Sequence, residues 1–192
     1  MNNLLIDVQS FKPILKESKE RPGVFEVEGV LQRAGAKNQN GRVYDKSLLK
    51  REVEKYVNEF VKVGNAFGEL DHPESAVVSL KNASHVVKGL WWSGDDLMGK
   101  IELLNTPSGN IVKEIIKGGH TIGISSRGTG SVKQTNEGTL MVQPDFELVC
   151  WDFVSNPSTH GAFMRPTHLN ENKEEYSKYI KLDSILNNIL RS

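Results

Sequence analysis

The segment Gly123–Ser131, GISSRGTGS, says more about this protein than any other stretch of its sequence. Gly123, Gly128 and Gly130 are interspersed with hydroxyl side chains and one arginine along a predicted strand. Because glycine weakens a strand, it usually marks a bulge or a place where another backbone comes close. An extended substrate peptide is one such backbone. Exposed backbone N–H groups in this segment could also donate hydrogen bonds to an oxyanion that develops on a bound substrate. The simpler interpretation is a tight strand and turn rich in small residues. A phosphate cradle is a third option, but the spacing fits neither the P-loop nor the dinucleotide fingerprint.

Short strands are predicted on both sides of this segment. In Val24–Leu31, apolar residues alternate with Glu26 and Glu28, as in a strand with one buried face. The other predicted strands are 83–92 and 97–104, which are joined by a hairpin turn, and 140–142 and 146–154.

Two helices interrupt the strands. Asp45 or Ser47 can cap a helix that runs to about residue 63 with its apolar residues on one face. Thr106 is a natural N-cap for a second helix, which stops at Gly118-Gly119. Many strands with two inserted helices predict an α+β fold, namely a mainly antiparallel sheet or small β-barrel flanked by helices.

The composition indicates one soluble domain. The 192 residues carry 24 Lys+Arg and 24 Asp+Glu, and this formal net charge of zero argues against a protein that mainly binds a phosphate backbone. The single cysteine, Cys150, excludes an internal disulfide and a cysteine-based zinc site. No apolar run is long enough to cross a membrane. We expect an N-terminal arm at residues 1–22, the main domain at 23–166 and a C-terminal tail with an amphipathic helix at 167–192. These observations leave two classes of protein, a small intracellular enzyme or an assembly module.

Two residues outside the glycine-rich segment are candidates to activate a serine within it. A serine hydroxyl needs a neighbouring base at neutral pH, and His72, flanked by Glu69 and Asp71, is the natural partner. The alternative is a surface histidine capped by its acidic neighbours. Asp152 stands in an apolar strand, where it either orients a catalytic imidazole or faces water at a sheet edge. His85 is better explained as a hydrogen-bonded core histidine. The spacing of these acidic and histidine residues matches no zinc pattern, so neither a metal nor a cofactor is predicted.

Six short segments occur in an order that points to one family. They are Asn38–Tyr44 (NQNGRVY), Gly68–Pro73 (GELDHP), Leu90–Trp92 (LWW), Asn105–Gly109 (NTPSG), Gly123–Ser131 (GISSRGTGS) and Asp152–Ser158 (DFVSNPS). Together they resemble the tailed-phage prohead proteases of the myovirus type, over about residues 24 to 166. The resemblance implies a serine endopeptidase with the fold of the herpesvirus assembly protease, a small β-barrel flanked by helices.

The resemblance also implies the roles of individual residues. The family's histidine falls on His72 and its nucleophile on Ser125, the first of the two serines. We place the third member on Asp152, although the herpesvirus relatives use a histidine that this chain lacks at the matching place. His72 would take the Ser125 proton and return it to the leaving amine, and Asp152 would hold the imidazole tautomer. Backbone N–H groups near Arg127 and Gly128 would stabilise the oxyanion.

A cleavage preference follows from the same resemblance. Similar phage enzymes cut after glutamate in a pattern of Leu or Ile, any residue, then Glu. A basic residue should receive that carboxylate, and Arg127 is the candidate, with Arg42 or Lys88 as alternatives. The pattern occurs here at Glu17 and Glu171, in the two expected tails, where proteolysis concentrates. We therefore hypothesise that the enzyme cleaves itself at both sites.

The expected role is capsid maturation. The substrates would be scaffold or core proteins and the precursor of the major capsid protein, inside the immature head (prohead) in the host cytoplasm. The family analogy favours a homo-oligomer, and we expect no direct contact with nucleic acid or membrane. Two other classes remain open: a non-catalytic scaffold or assembly module of the same fold, and a generic esterase that uses the same serine and histidine.

Overall fold

A computed structural model describes residues 3–9, 16–18, 21–73, 75–120 and 122–155. Glu171 and the expected C-terminal tail lie outside the described residues. Within the described ranges, no helix is long and apolar enough to cross a membrane.

The described part of the chain is mostly strand, with few helices. The strands are β1 (Asn3–Gln9), β2 (Lys16–Glu17), β3 (Phe25–Arg33), β4 (Arg42–Val43), β5 (Phe67–Glu69), β6 (Ala83–Ser93), β7 (Asp96–Leu103), β8 (Gly123–Gly130), β9 (Val132–Gln134), β10 (Leu140–Val142) and β11 (Glu147–Val154). The α-helices are α1 (Lys46–Tyr56) and α2 (Pro107–Lys117). A π-helical turn, Val57–Val61, extends α1, and a 3-10 turn, Leu80–Asn82, precedes β6. The predicted α+β class is confirmed.

The strands of these ranges form three sheets. Their orders are β2-β3-β7-β6-β5, β1-β8-β11 and β4-β10-β9. Neighbouring strands are antiparallel, except that β4 and β10 are parallel. The predicted small β-barrel is not observed as a closed barrel in the described residues. A parallel bridge between Leu70 and Phe153 instead joins the end of β5 to β11, and the candidate site lies at this junction.

Side-chain caps place both helices where the sequence predicts them. The Asp45 carboxylate accepts a hydrogen bond from the Ser47 N–H at 2.7 Å, and Thr106 Oγ1 accepts one from the Gly109 N–H at 3.1 Å. The Thr106 hydroxyl also donates to the first carbonyl of β6 at 2.6 Å. A Cβ atom on Gly109 would lie 2.1 Å from the Leu104 carbonyl oxygen, so only glycine permits this approach. The start of α2 is therefore bound tightly to the sheet.

The N-terminal segment differs from the predicted arm outside the core. All seven residues of β1 pair with β8, and Leu5, at 3% exposure, belongs to the hydrophobic core. The apolar pattern is hidden in the sequence because Asp7, two residues further along, points to the same face and is also fully buried. The predicted boundary at residue 22 therefore does not separate a tail from the core.

Candidate active site

The two adjacent serines of β8 lie on opposite faces of the sheet, because successive side chains of a strand alternate. In the register with β11, Ser125 lies opposite Asp152 and Ser126 lies opposite Trp151. The Ser126 hydroxyl donates to the main-chain carbonyl of Asp7 in β1 at 3.1 Å. Ser125 therefore shares a face with a carboxylate, whereas Ser126 binds the neighbouring strand.

The loop after β5 brings His72 to the face that carries Ser125. The Asp71 N–H donates to the Phe153 carbonyl at 2.7 Å, next to the bridge made by Leu70. Asp71 has a φ of 64°, a left-handed conformation that aspartate tolerates better than most residues. This turn orients the following ring, so that His72 Nδ1 lies 2.8 Å from Asp152 Oδ2. Because a carboxylate only accepts hydrogen bonds, Nδ1 carries the hydrogen and Nε2 is left as the basic nitrogen.

The Asp152 carboxylate is fully buried and is held by donors on both oxygens. Oδ1 accepts from the Glu69 N–H at 2.9 Å and from Arg127 Nη2 at 3.2 Å, and Arg127 Nε lies 2.9 Å from Oδ2. Burial alone would raise the pKa of Asp152, but the hydrogen bond from His72 and the positive charge of Arg127 outweigh it, so the pKa lies below its ordinary value. Asp152 is therefore an anion at neutral pH, as is needed to orient and stabilise an imidazolium.

Arg127 has a different role from the predicted one. Its side chain is fully buried, Nη2 donates to Glu69 Oε1 at 2.8 Å, and Nη1 donates to the Ser75 carbonyl at 2.6 Å. A guanidinium that is enclosed and bonded to Glu69 and Asp152 presents no surface to a substrate carboxylate. Arg127 instead neutralises two buried carboxylates and holds the one that orients His72.

The glycines of β8 accommodate residues of this chain. A Cβ atom on Gly128 would lie 2.4 Å from Phe146 Cε2 and 2.6 Å from the Glu147 carbonyl oxygen. The Phe146 ring uses this space and meets the Tyr44 ring edge to face, with centroids 5.2 Å apart. Since β8 is paired on both sides, the N–H groups of Arg127 and Gly128 belong to the sheet. Their predicted oxyanion role stays a prediction.

Several buried polar atoms of the site have no hydrogen-bond partner among the described residues, and Glu69 Oε2 is one of them. Two others are Ser125 Oγ and His72 Nε2, the atoms between which a serine protease transfers a proton. Buried polar atoms without a partner are costly, so native proteins keep few of them, and a pair with complementary chemistry indicates a functional site. These are the residue types that can deprotonate a serine, but Ser125 Oγ and His72 Nε2 are not hydrogen-bonded to each other in this structure. Ser125 is 0% exposed, which means that the site is closed in this structure.

Comparison with known proteins agrees with this chemistry. The family described as prohead core protein serine protease matches residues 8–174. This chain belongs to that family. It is 35% identical to the prohead core protein protease of Enterobacteria phage T4 over 156 residues, which cover 80% of this chain and 73% of that protein. The solved structure of the bacteriophage T4 capsid assembly protease matches with a TM-score of 0.75 and 31% identity, and covers 81% of this chain and 99% of that one. The prediction of a peptidase is confirmed.

A second histidine of this prohead core protease family member is a core residue, as predicted. His85 is fully buried, Nε2 donates to the Trp151 carbonyl at 3.0 Å, and Nδ1 accepts from the Ser84 hydroxyl at 2.8 Å. Burial lowers the pKa of His85 to about 4, so the ring is neutral at pH 7. The described residues contain no group of three or more His, Cys, Asp and Glu side chains that could hold a metal ion.

The remaining predicted residues of the protease lie away from His72. Glu17 is exposed in β2 and accepts from the Gly23 N–H at 2.8 Å. Arg42, an alternative for the substrate carboxylate, binds Asp7 instead, with Nη1 3.1 Å from Oδ1. Lys88, the other alternative, is exposed on β6.

Sequence reasoning missed two features of the family member's site. Glu69 was noted only as a neighbour of His72, yet it is the buried partner of Arg127. Asn40, Arg42 and Tyr44 belong to a matched segment, but no role was assigned to Asn40 or Tyr44, and Arg42 was considered only as a partner of the substrate carboxylate. The spacing of Arg42 and Tyr44 around the short strand β4 was the available signal, because residues two positions apart on an extended chain point to the same side.

Proposed function

We propose that this chain is a serine endopeptidase that digests scaffold proteins and trims capsid precursors inside an immature phage head. The observation that carries the proposal is the contact between His72 Nδ1 and Asp152 Oδ2, made directly across the strand pair from Ser125. The names of the T4 relatives, a prohead core protease and a capsid assembly protease, support this choice of substrates. The site of action would be the prohead interior in the host cytoplasm.

The chemistry follows from the three roles. His72 Nε2 takes the Ser125 proton while Oγ bonds to the scissile carbonyl carbon, and the imidazolium is stabilised by the Asp152 anion. The same nitrogen then protonates the leaving amine as the C–N bond breaks, which leaves an acyl-enzyme. Water, deprotonated by His72, attacks the ester and restores Ser125. Backbone donors for the oxyanion remain part of the proposal.

The closed site supports the further proposal that this conformation belongs to a precursor. Ser125 is fully buried, so a peptide can reach it only after part of the surrounding structure moves. A precursor with a closed nucleophile would prevent cleavage before the head is assembled. We also propose cleavage after Glu in Leu/Ile-x-Glu, with self-cleavage after Glu17 and Glu171. Glu17 is exposed, and Lys88 is the exposed member of the three predicted carboxylate partners.

Co-expression with candidate scaffold and capsid proteins tests the function. Intact mass should show cuts after Leu/Ile-x-Glu with the wild type and none with Ser125→Ala or His72→Ala. Ser126→Ala is the matched control, because its hydroxyl points to the other face and bonds to the Asp7 carbonyl; it should retain cleavage. If no Ser125-dependent cut appears, the alternative of a non-catalytic assembly module replaces this proposal.

Two finer points accompany the proposal. A serine-reactive phosphonate should label Ser125, and faster cleavage of Leu-x-Glu peptides than of short-chain esters would exclude a generic esterase. Two further expectations rest on the sequence resemblance alone. They are a fold related to that of the herpesvirus assembly protease and a homo-oligomeric state. Superposition on a solved herpesvirus protease and sedimentation of the purified chain test them separately.

A further inference from the structure

The first strand is bound to the rest of the protein by more than sheet pairing. β1 runs antiparallel to β8 from Asn3 opposite Gly130 to Gln9 opposite Ile124, which places Val8 opposite the proposed nucleophile Ser125. β1 is the outer strand of its sheet. One edge of the strand that carries Ser125 is therefore occupied by the N-terminus of the chain.

Asp7 anchors this strand through a buried carboxylate. Three side chains, Asn40, Arg42 and Tyr44, form what we call the carboxylate clamp. Asn40 Nδ2 donates to Asp7 Oδ1 at 2.9 Å, Arg42 Nη1 donates to the same oxygen at 3.1 Å, and the Tyr44 hydroxyl donates to Oδ2. Removal of one partner from such a buried, charge-assisted group is costly, because the remaining charge is left uncompensated.

The clamp also binds the backbone of the strand. Asn40 Nδ2 donates to the Ile6 carbonyl at 2.8 Å and Arg42 Nη1 donates to it at 2.9 Å, while the Ser126 hydroxyl donates to the Asp7 carbonyl. Two consecutive carbonyls and the side chain between them are thus bound by side chains from outside β1. This is how a site holds an extended peptide in one register and one direction.

The strand and the clamp each lose a partner if they separate. Asp7 is 0% exposed and Tyr44 is 2% exposed while β1 is bound, so departure of β1 removes the anion from the Tyr44 hydroxyl and from the Arg42 cation. Leu5 would also leave the core. None of these contacts depends on the covalent connection between β1 and β2, which runs through residues 10–15.

We propose that the β8 edge and the carboxylate clamp form a peptide-binding site for the chain's own strand 3–9, which stays bound after the chain is cut between β1 and β3. The self-cleavage after Glu17 in the proposed function is the natural source of such a cut. Hydrolysis of the Glu17–Ser18 bond adds one water, leaving a carboxylate on Glu17 and an amino group on Ser18. The product is a two-chain enzyme in which fragment 1–17 still lines the strand of Ser125.

An engineered cut tests this without using the protein's own activity. In full-length Ser125→Ala, residues 10–15 are replaced by the recognition sequence of an unrelated site-specific protease, and the chain is cut after folding. Size exclusion and native mass spectrometry should find the N-terminal fragment bound to the remainder. The bound N-terminal fragment should exchange with a fluorescent peptide of residues 1–9. This exchange should be about tenfold faster or more with Asp7→Asn or Tyr44→Phe than without these changes, because each of them loses a charge-assisted buried contact. Asn3→Ala, at the exposed end of the same strand, should change it little.

The uncut form of each variant is the folding control. Each should keep its near-UV circular dichroism, so that a difference appears only after cutting. The proposal is overturned if the wild-type fragment dissociates from a folded remainder as fast as the Asp7→Asn fragment, or if cutting unfolds a variant that was folded before. Because the cut does not use Ser125, the result is independent of whether this chain cleaves itself.

Discussion

Replacement of Arg127 by methionine should destabilise the protein and reverse the pH dependence at its site. Glu69 and Asp152 both have side chains with 0% exposure, and Arg127 is the cation that contacts each of them, at 2.8 and 2.9 Å. Methionine keeps the length of the side chain but leaves two buried carboxylates without a positive charge. Loss of one partner of a buried ion pair costs about 3–5 kcal/mol, a large part of the stability of a domain of this size.

The sign of the pH effect follows from Asp152. In the wild type its pKa is lowered, so its contribution to stability is present above the unfolded pKa and is lost as the pH falls through the folded pKa. In Arg127→Met, burial and the repulsion between the two carboxylates raise the pKa of one of them. The folded variant then binds a proton that the unfolded chain has released, so the free energy of unfolding falls as the pH rises towards neutral.

Urea unfolding of Ser125→Ala, in which self-cleavage is blocked, measures both effects. Arg127→Met in this background should lose about 3–5 kcal/mol at pH 7 and less at pH 5. The double variant Arg127→Met/Glu69→Gln should recover about 1–3 kcal/mol, because one uncompensated charge is gone. The matched control is Arg33→Met, which breaks a two-point pair with Asp96 on a side chain that is 55% exposed. That change should cost at most about 1 kcal/mol. Equal costs for Arg127→Met and Arg33→Met would refute the assignment of Arg127 as the buried counter-ion.

Three further predictions concern the serines, the core histidine and the glycines. Against a Leu-x-Glu peptide, Ser125→Ala should lower kcat/KM by at least about 10³-fold while Ser126→Ala stays within about tenfold, and the reverse order would move the nucleophile to Ser126. Because burial lowers the pKa of His85 to about 4, its imidazole binds a proton at a higher pH in the unfolded chain, about 6.5, than in the folded protein. The free energy of unfolding should therefore fall by about 3 kcal/mol as the pH falls from 6.5 to 4. Urea unfolding should show a smaller fall in His85→Gln than in the wild type, and an equal fall in both would contradict this assignment. Gly128→Ala should lower the free energy of unfolding by about 1–3 kcal/mol, because its Cβ would lie 2.4 Å from the Phe146 ring. Gly89→Ala, with nothing within 4 Å, should change it by less than about 0.5 kcal/mol, and similar losses for both would contradict the close approach.

Local chemistry explains what was predictable about the fold. The N-caps at Asp45 and Thr106 and the stop after Lys117 depend on contacts within a few residues, and the structure confirms them. β7, which follows the hairpin turn at 94–95, alternates buried and half-buried residues, so its pattern was also visible in the sequence. β6, which precedes the turn, begins instead with five buried residues in succession. β1 was missed because a buried Asp7 interrupts its apolar pattern, and its partners come from another part of the chain.

The candidate site, like the fold, was predictable from the sequence only in part. The sequence alone suggested a serine, a histidine and an acid, because serine chemistry requires those residue types, and a family resemblance placed them on Ser125, His72 and Asp152. Only the tertiary structure brought His72 within 2.8 Å of Asp152, since that contact depends on the left-handed turn at Asp71 and on the pairing of β8 with β11.

Composition and residue types thus left serine chemistry as one option, and the family resemblance selected it. Three-dimensional packing decided which charges meet. Arg127 illustrates the difference. An arginine beside two serines could bind a substrate carboxylate, and nothing local opposes that interpretation. Its burial against Glu69 and Asp152, residues that are 58 and 25 positions away, makes it a structural counter-ion instead. The physical reason is that the cost of burying a charge depends on all the groups that surround it, and those groups come together only when the chain folds.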